Sequence, residues 1–214
     1  MSSELRDSKA AHIRHIMETE GDAVSENTRG FNTGRYESVG KLEDYEQLKE
    51  EARAIKEEAI EQLPTLIDQL TETVEENGGT VYIADDAADA NRYISEVCET
   101  TGADRMVKSK SMTSEEIEVN EYLEQQGTEV IETDLGEWVL QIADEAPSHI
   151  VAPAIHKSRE EIARLFERQF DTDETFDSAE ELTMFARRKL GELIQGADVG
   201  LTGVNFLAAD TGTM

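Results

Sequence analysis

The stretch "DRMVKSKSMTSEEIEVNEYLEQQGTEVIETDLGEWVLQIADEA", residues 104–146, reads as strand, helix, strand, helix. The run "DRMVKSKS" is the first strand. Thr113 then stands as the cap of a helix, with Glu116 in the reciprocal third position of a capping box and Gly127 as the residue that closes it. "TEVIET" is the second strand, and Asp134 caps a helix whose Leu135, Trp138, Val139 and Ile142 form an apolar stripe. Two strands in one direction, each followed by a helix, require right-handed crossovers and a parallel sheet.

The same alternation extends on both sides. Upstream, "TVYIADD" (80–86) is expected as a short buried strand and 87–101 as a helix with Ile94, Val97 and Cys98 inward. Downstream, "SHIVAPAI" (148–155) is expected as a strand. Capping boxes Ser158/Glu161 and Ser178/Glu181 open helices over 159–170 and 179–195, and "DVGL" begins a last strand. Four or five such units give an α/β fold: a mostly parallel open sheet with helices on both faces. Before it, apolar residues spaced by three and four from Leu42 to Leu63 predict a helix, which Pro64 kinks or restarts and "NGG" ends near Asn77. Residues 1–40 form an N-terminal appendage, a short helix near Lys9 to Glu20 followed by "GDAVSENTRGFNTGRYESVG", which reads as loop. Residues 41–214 form the α/β domain with its leading helices.

The chain carries 48 acidic against 20 basic residues, a formal charge of −28 over 214 residues, spread along every helical stretch. Such a surface repels phosphates, which excludes nucleic acid and anionic lipid as partners. It is the surface expected of a halophile's cytoplasm, where salt shortens repulsion. Cys98 is the only cysteine, so neither an intrachain disulfide nor a cysteine-ligated cluster forms within these residues. No run is long and apolar enough to span a membrane, and no signal-peptide core is present, so a cytoplasmic location is expected. His12 and His15 lie three apart on a helix, but no third ligand is evident and no metal site is expected.

In an open parallel sheet, ligands sit beyond the carboxyl ends of the strands, where loops run into helix N-termini. "KSKSMTSEE" and "PAIHKSREE" each join lysine, hydroxyl groups and a helix start, which attract anions by charge, amides and dipole. Lys108 and Lys110 would share a face with Met106 if the strand ran through them, so Lys110 is expected to turn into the loop; the alternative is that both pair with Glu115 and Glu116. Ser111, Thr113 and His156 join them at this edge. Glu132, Asp134 and Glu137 form an acid cluster, with Asp134 read as a cap. The stretch "LTGVNFLAADTGT" supplies Thr202, Gly203, Asn205, Asp210, Thr211, Gly212 and Thr213, whose hydroxyls and amides suit a carboxylate or phosphate oxygen; a turn-rich structural hairpin is the alternative.

Taken together, "VKSKSMTSEEIEVNEYLEQQGTEVIETDLGEWVLQIADEAPSHIVAPAIHKSREEIARLF" and "LTGVNFLAADTGT" resemble the LUD domain of lactate-utilisation iron–sulfur proteins of the B-subunit type, from about Leu42 to the last residue. The resemblance implies a fold similar to the ribose-5-phosphate isomerase/CoA-transferase-like superfamily. It implies a part in oxidising L-lactate to pyruvate in the cytoplasm, beside a cysteine-rich iron–sulfur protein and a second LUD protein. It further implies [4Fe-4S] clusters in a full-length protein of the family, none of them in this chain, whose end at Met214 is expected to truncate the domain. The role expected is a non-catalytic or electron-transfer subunit. The competing expectations are a binding protein or enzyme for phosphorylated sugars or CoA esters, and a structural assembly module.

Overall fold

The computed structural model describes residues 10, 11, 13–15, 17–19, 21–145, 147 and 152–214. Its helices are α1 (Gly21–Val39), α2 (Tyr45–Glu61), α3 (Leu63–Glu76), α4 (Ala87–Thr101), α5 (Met112–Glu116), α6 (Val119–Gln126), α7 (Leu135–Ala143), α8 (Arg159–Phe170) and α9 (Ala179–Gln195). The strands are β1 (Arg105–Lys108), β2 (Glu129–Glu132) and β3 (Val199–Leu201). The chain divides into two compact units, one of residues up to Gly30 with Ala90–Gly203, the other of Phe31–Asp89 with Val204–Met214.

The first unit carries the sheet. Its order is β2-β1-β3 and both ladders are parallel, with Met106 opposite Val130 and Val199, and Lys108 opposite Glu132 and Leu201. Because side chains alternate across a strand, Met106 and Val130 face one way and Val107 and Ile131 the other. On the first face Met106 and Val130 pack with Cys98 of α4 and with Val119 and Leu123 of α6. On the second, Val107 and Ile131 meet Trp138 and Val139 of α7, Phe166 of α8, and Leu182, Phe185 and Leu190 of α9. The α/β expectation, a parallel open sheet covered on both faces, is what the molecule forms.

Aromatic rings fill the second face. Phe166 lies 5.5 Å from Trp138 and 5.4 Å from Phe185, and Phe170 is 5.6 Å from Trp138. Ring pairs of this kind add roughly 0.5–1.5 kcal/mol each beyond the area they bury. Ser158 and Ser178 both close complete capping boxes with Glu161 and Glu181, as their spacing predicts. Asp198 fixes the start of β1, its Oδ2 accepting from the backbone N–H groups of Asp104 and Arg105 at 3.1 Å each.

Several local expectations are corrected. Residues 80–86 form no strand: Tyr82 and Ile83 are exposed, and the Tyr82 hydroxyl donates to Asp89 at 2.8 Å. Among the described residues no strand lies beside this run, so its apolar alternation has no ladder to join. The strand expected over 148–155 falls partly on Ser148–Val151, outside the described residues; Pro153–His156 are turns, closed by bonds such as Lys157 N to Ala154 O at 2.9 Å. The helix after β1 is capped by Ser111, whose Oγ accepts from Ser114 N at 3.2 Å, and Thr113 is an exposed residue inside it. That helix also breaks at Glu118, which adopts a left-handed conformation (φ 55) and starts α6 afresh. The stretch read as loop after Glu20 is α1. It carries few apolar residues, but Asn27 anchors it by donating to Ile155 O at 2.9 Å.

In the second unit, α2 and α3 are separate helices with Pro64 in the first turn of α3, and the segment stops at Asn77 as "NGG" predicts. The last residues form a tight turn. Ala208 and Thr213 pair as an antiparallel bridge, Gly212 adopts a positive φ (66), and Asn77 Nδ2 donates to Thr211 O at 3.3 Å.

Candidate functional site

β1 and β2 carry the same charge pattern in register. Each has a charged residue at its first and fourth position, so Arg105 meets Glu129 and Lys108 meets Glu132. The fourth position points to the first face of the sheet, where α5 and α6 cover it. Lys108 is therefore fully buried, with 0% of its side chain exposed, and its Nζ lies 2.8 Å from Glu132 Oε1. Ser114 Oγ accepts from the same ammonium at 3.3 Å, and Asn120 Nδ2 donates to Glu132 Oε1 at 2.6 Å. An ion pair taken out of water is favoured by further hydrogen bonds to its charged groups, which explains why α5 and α6 each send a polar side chain inward here.

The strand ends at Lys108, and Ser109 to Ser111 form a loop beside the end of β3. Ser109 Oγ donates to Thr202 Oγ1 at 2.9 Å, and a Cβ on Gly203 would stand 3.0 Å from Ser111, so the two loops touch through glycine. Lys110 turns into this loop, as expected, and its ammonium meets Glu137 in the first turn of α7. Burial lowers the Lys110 pKa, but the hydrogen bond and charge of Glu137 outweigh it and leave it raised. For Glu137, burial pulls upward and the hydrogen bonds with Glu115 and Lys110 pull harder, leaving its pKa lowered. Glu115 is pushed up to about 7 by burial first and by Glu137 second. The two carboxyls thus share a proton near neutrality.

Both lysines are paired, as the alternative sequence reading held, but with Glu132 and Glu137 rather than Glu115 and Glu116. Asp134 is a cap, accepting from the N–H groups of Gly136 and Glu137. His156 is buried and lies at the far end of α7: its Nε2 is 3.2 Å from Glu145, which also holds Lys157. Glu145 has a lowered pKa, since those two hydrogen bonds outweigh its burial. Lys110 and His156 therefore attach to carboxylates at opposite ends of one helix and do not converge. Asn205, Asp210, Thr211, Gly212 and Thr213 belong to the second unit, where the Thr211 hydroxyl donates to Thr213 Oγ1 at 2.9 Å and Asn205 and Asp210 are exposed. His12 lies outside the described residues.

Over the carboxyl end of β2, α5, α6 and α7 wall a groove of about 610 Å³. Eight carboxylates line it, from Glu115, Glu118, Glu121, Glu124, Glu132, Glu137, Asp144 and Glu145. Sequence reasoning singled out Glu132 and Glu137, and Glu115 as a lysine partner, but missed Ser114 and Asn120. Glu132 stands out in the sequence only as a member of an acid cluster; the signal that pairs it with Lys108 is that a lysine at an inward position of a buried strand demands a counter-ion. An iron–sulfur cluster does not fit these residues: the one thiol, Cys98, is buried at 2% exposure in the first core, and among the described residues no group of three or more metal-binding side chains exists. Nor is any described helix long and apolar enough to cross a membrane.

Fold and site together define an α/β domain with a buried charged network at the carboxyl edge of a parallel sheet. Residues 67–214 match the LUD domain, and the chain belongs to that family. It is 45% identical to the lactate utilization protein B of Oceanobacillus iheyensis and 44% identical to that of Bacillus subtilis, each over 90% of this chain. The chain spans about two fifths of the length of those relatives, 40% in both. No solved structure matches it.

Proposed function

We propose that this chain is the LUD part of a lactate-oxidising system that converts L-lactate to pyruvate in the cytoplasm, working as a subunit beside a cysteine-rich iron–sulfur protein and a second LUD protein. The observation that carries this reading is the likeness to proteins named lactate utilization protein B, which runs through nine tenths of the chain. Oxidation of lactate removes two electrons, and no amino-acid side chain stores them. The electrons therefore pass to a carrier on another segment or another protein, of the [4Fe-4S] class. The role of these residues is assembly and positioning.

An accompanying proposal puts a small carboxylate or phosphate at the loop of Lys110, Ser111 and Thr202, beside the buried Lys108, and leaves out His156, which is held at the other end of α7. Such a ligand has to compete with Glu132 and Glu137, which already neutralise both ammoniums. For that reason the subunit reading is the stronger one. Deleting the gene in the source organism tests it: growth on L-lactate should be lost while growth on pyruvate continues. Undiminished growth on lactate would overturn it.

A further inference from the structure

The groove beside β2 holds more buried acceptors than donors. Glu132 Oε1 is occupied by Lys108 and Asn120, but Glu132 Oε2 and Asn120 Oδ1 are buried with no donor. Glu137 Oε2 and Glu115 Oε1 are in the same condition, and one proton shared between those carboxyls serves both. The nearby donors are spent: Lys108 and Lys110, behind the wall, on their carboxylates, and Gln141 Nε2, in it, on Val130 O at 2.6 Å. A buried polar atom left without its partner costs about 1–3 kcal/mol, more when charged. Glu132 is only 6% exposed, so the donor it lacks has to enter the groove.

The groove also has a sign. No lysine lines it, since Lys108 and Lys110 stand behind Glu132 and Glu137, and its mouth carries the exposed Glu118, Glu121, Glu124 and Asp144. Facing low-dielectric walls, such a cluster concentrates a negative field on whatever enters. A metal ion does not answer to this geometry, since no three ligating groups converge among the described residues. A space of about 610 Å³ lies in the range that takes small organic molecules.

We propose that this groove is a receptor for an organic cation, whose ammonium or guanidinium hydrogens reach Glu132 Oε2 and Asn120 Oδ1 on the floor. The chemistry is that of a free diamine or guanidino-amine, or of a basic side chain presented by a partner. The proposal does not rest on the lactate reading. Binding of a cation favours the ionised form of Glu115, which faces Glu137 on α7, Lys110 in the loop and Lys108 on β1, so it releases a proton and tightens as pH rises from 6 to 8.

Calorimetric titration tests this with agmatine, with a short arginine-containing peptide, and with lactate and phosphate as anions. Agmatine should bind the native protein. Binding should weaken by about tenfold in Glu132→Gln and several-fold in the rim pair Glu121→Gln with Glu124→Gln. The rim pair is exposed and carries the test even if Glu132→Gln fails to fold. A control pair on α9, Glu180→Gln with Glu192→Gln, should leave binding unchanged. Binding of the peptide but not of agmatine would support the receptor and assign its guest to a partner protein. Silence from both, insensitivity to the rim pair, or an equal loss in the control pair would overturn the proposal. Binding of lactate or phosphate in place of the amines would also overturn it, and would favour the anion reading of Lys110.

Discussion

Two ion pairs join β1 to β2 three residues apart, and they differ in what holds them. Arg105 Nε meets Glu129 Oε2 at 2.7 Å with both side chains partly in water, 34% and 53% exposed. Lys108 meets Glu132 at nearly the same distance with neither in water. The first pair is local: each residue remains solvated if the other is removed. The second is a network in which Ser114, Asn120 and the packing of α5 and α6 all depend on both charges being present. Together they fix register, because a slip of one residue would separate both pairs at once and turn every apolar side chain to the wrong face.

The largest effect should come from breaking the buried pair. Lys108→Met leaves Glu132 in the core without its counter-ion and should cost about 3–5 kcal/mol in a denaturant titration. The double substitution Lys108→Met with Glu132→Leu removes both charges and should recover most of that loss, since a buried pair and an apolar pair of like volume are often near equal. If the double variant is as unstable as the single, the hydrogen bonds of Ser114 and Asn120 matter more than the charges. That result would recast the network as polar rather than ionic.

A smaller effect belongs to the groove beside the pair. Glu115 has its folded pKa raised to about 7 from 4.5, so between those pH values the folded protein holds a proton that the unfolded chain has lost. Stability therefore falls as pH rises through this window, and levels off above it. Glu137 acts in the opposite direction: its lowered pKa gives stability that is lost only as pH falls below 4.5, so the two windows are separable. Glu115→Gln should flatten the slope between pH 5 and 7 and stabilise the protein at pH 8. A slope that persists in the variant would assign it to another group.

How legible this was differs between scaffold and site. Capping boxes at Ser158 and Ser178, the Asp134 cap, the helix over 87–101 and the β1–β2 alternation were all readable, because each is a local pattern with its cause in adjacent residues. Residues 80–86 were misread because a strand requires a neighbour, and a short apolar run does not reveal whether one exists. The loop after Glu20 was misread for the converse reason: α1 has weak helical signals and is anchored by Asn27 on Ile155, 128 residues away. At the site, the two lysines were visible as cations, but their partners were set by register and by the break at Glu118. Asn120 has no sequence signal of its own, since only the break aims it at Glu132.

The smallest effect sharpens the comparison most. Arg105→Ala should cost only about 0.2–1 kcal/mol, as exposed pairs do. The backbone N–H of residue 105 still donates to Asp198 in that variant, so the start of β1 stays pinned. Salt then separates the two pairs. In 1 M NaCl the screening length is about 3 Å, so the cost of Arg105→Ala should vanish, while that of Lys108→Met, sealed from solvent, should persist. Denaturation midpoints of both variants at low and high salt measure this directly. A loss from Arg105→Ala that equals the loss from Lys108→Met, or that survives in high salt, would mean that register is set at the exposed end of the ladder and that the buried pair is retained for the groove alone.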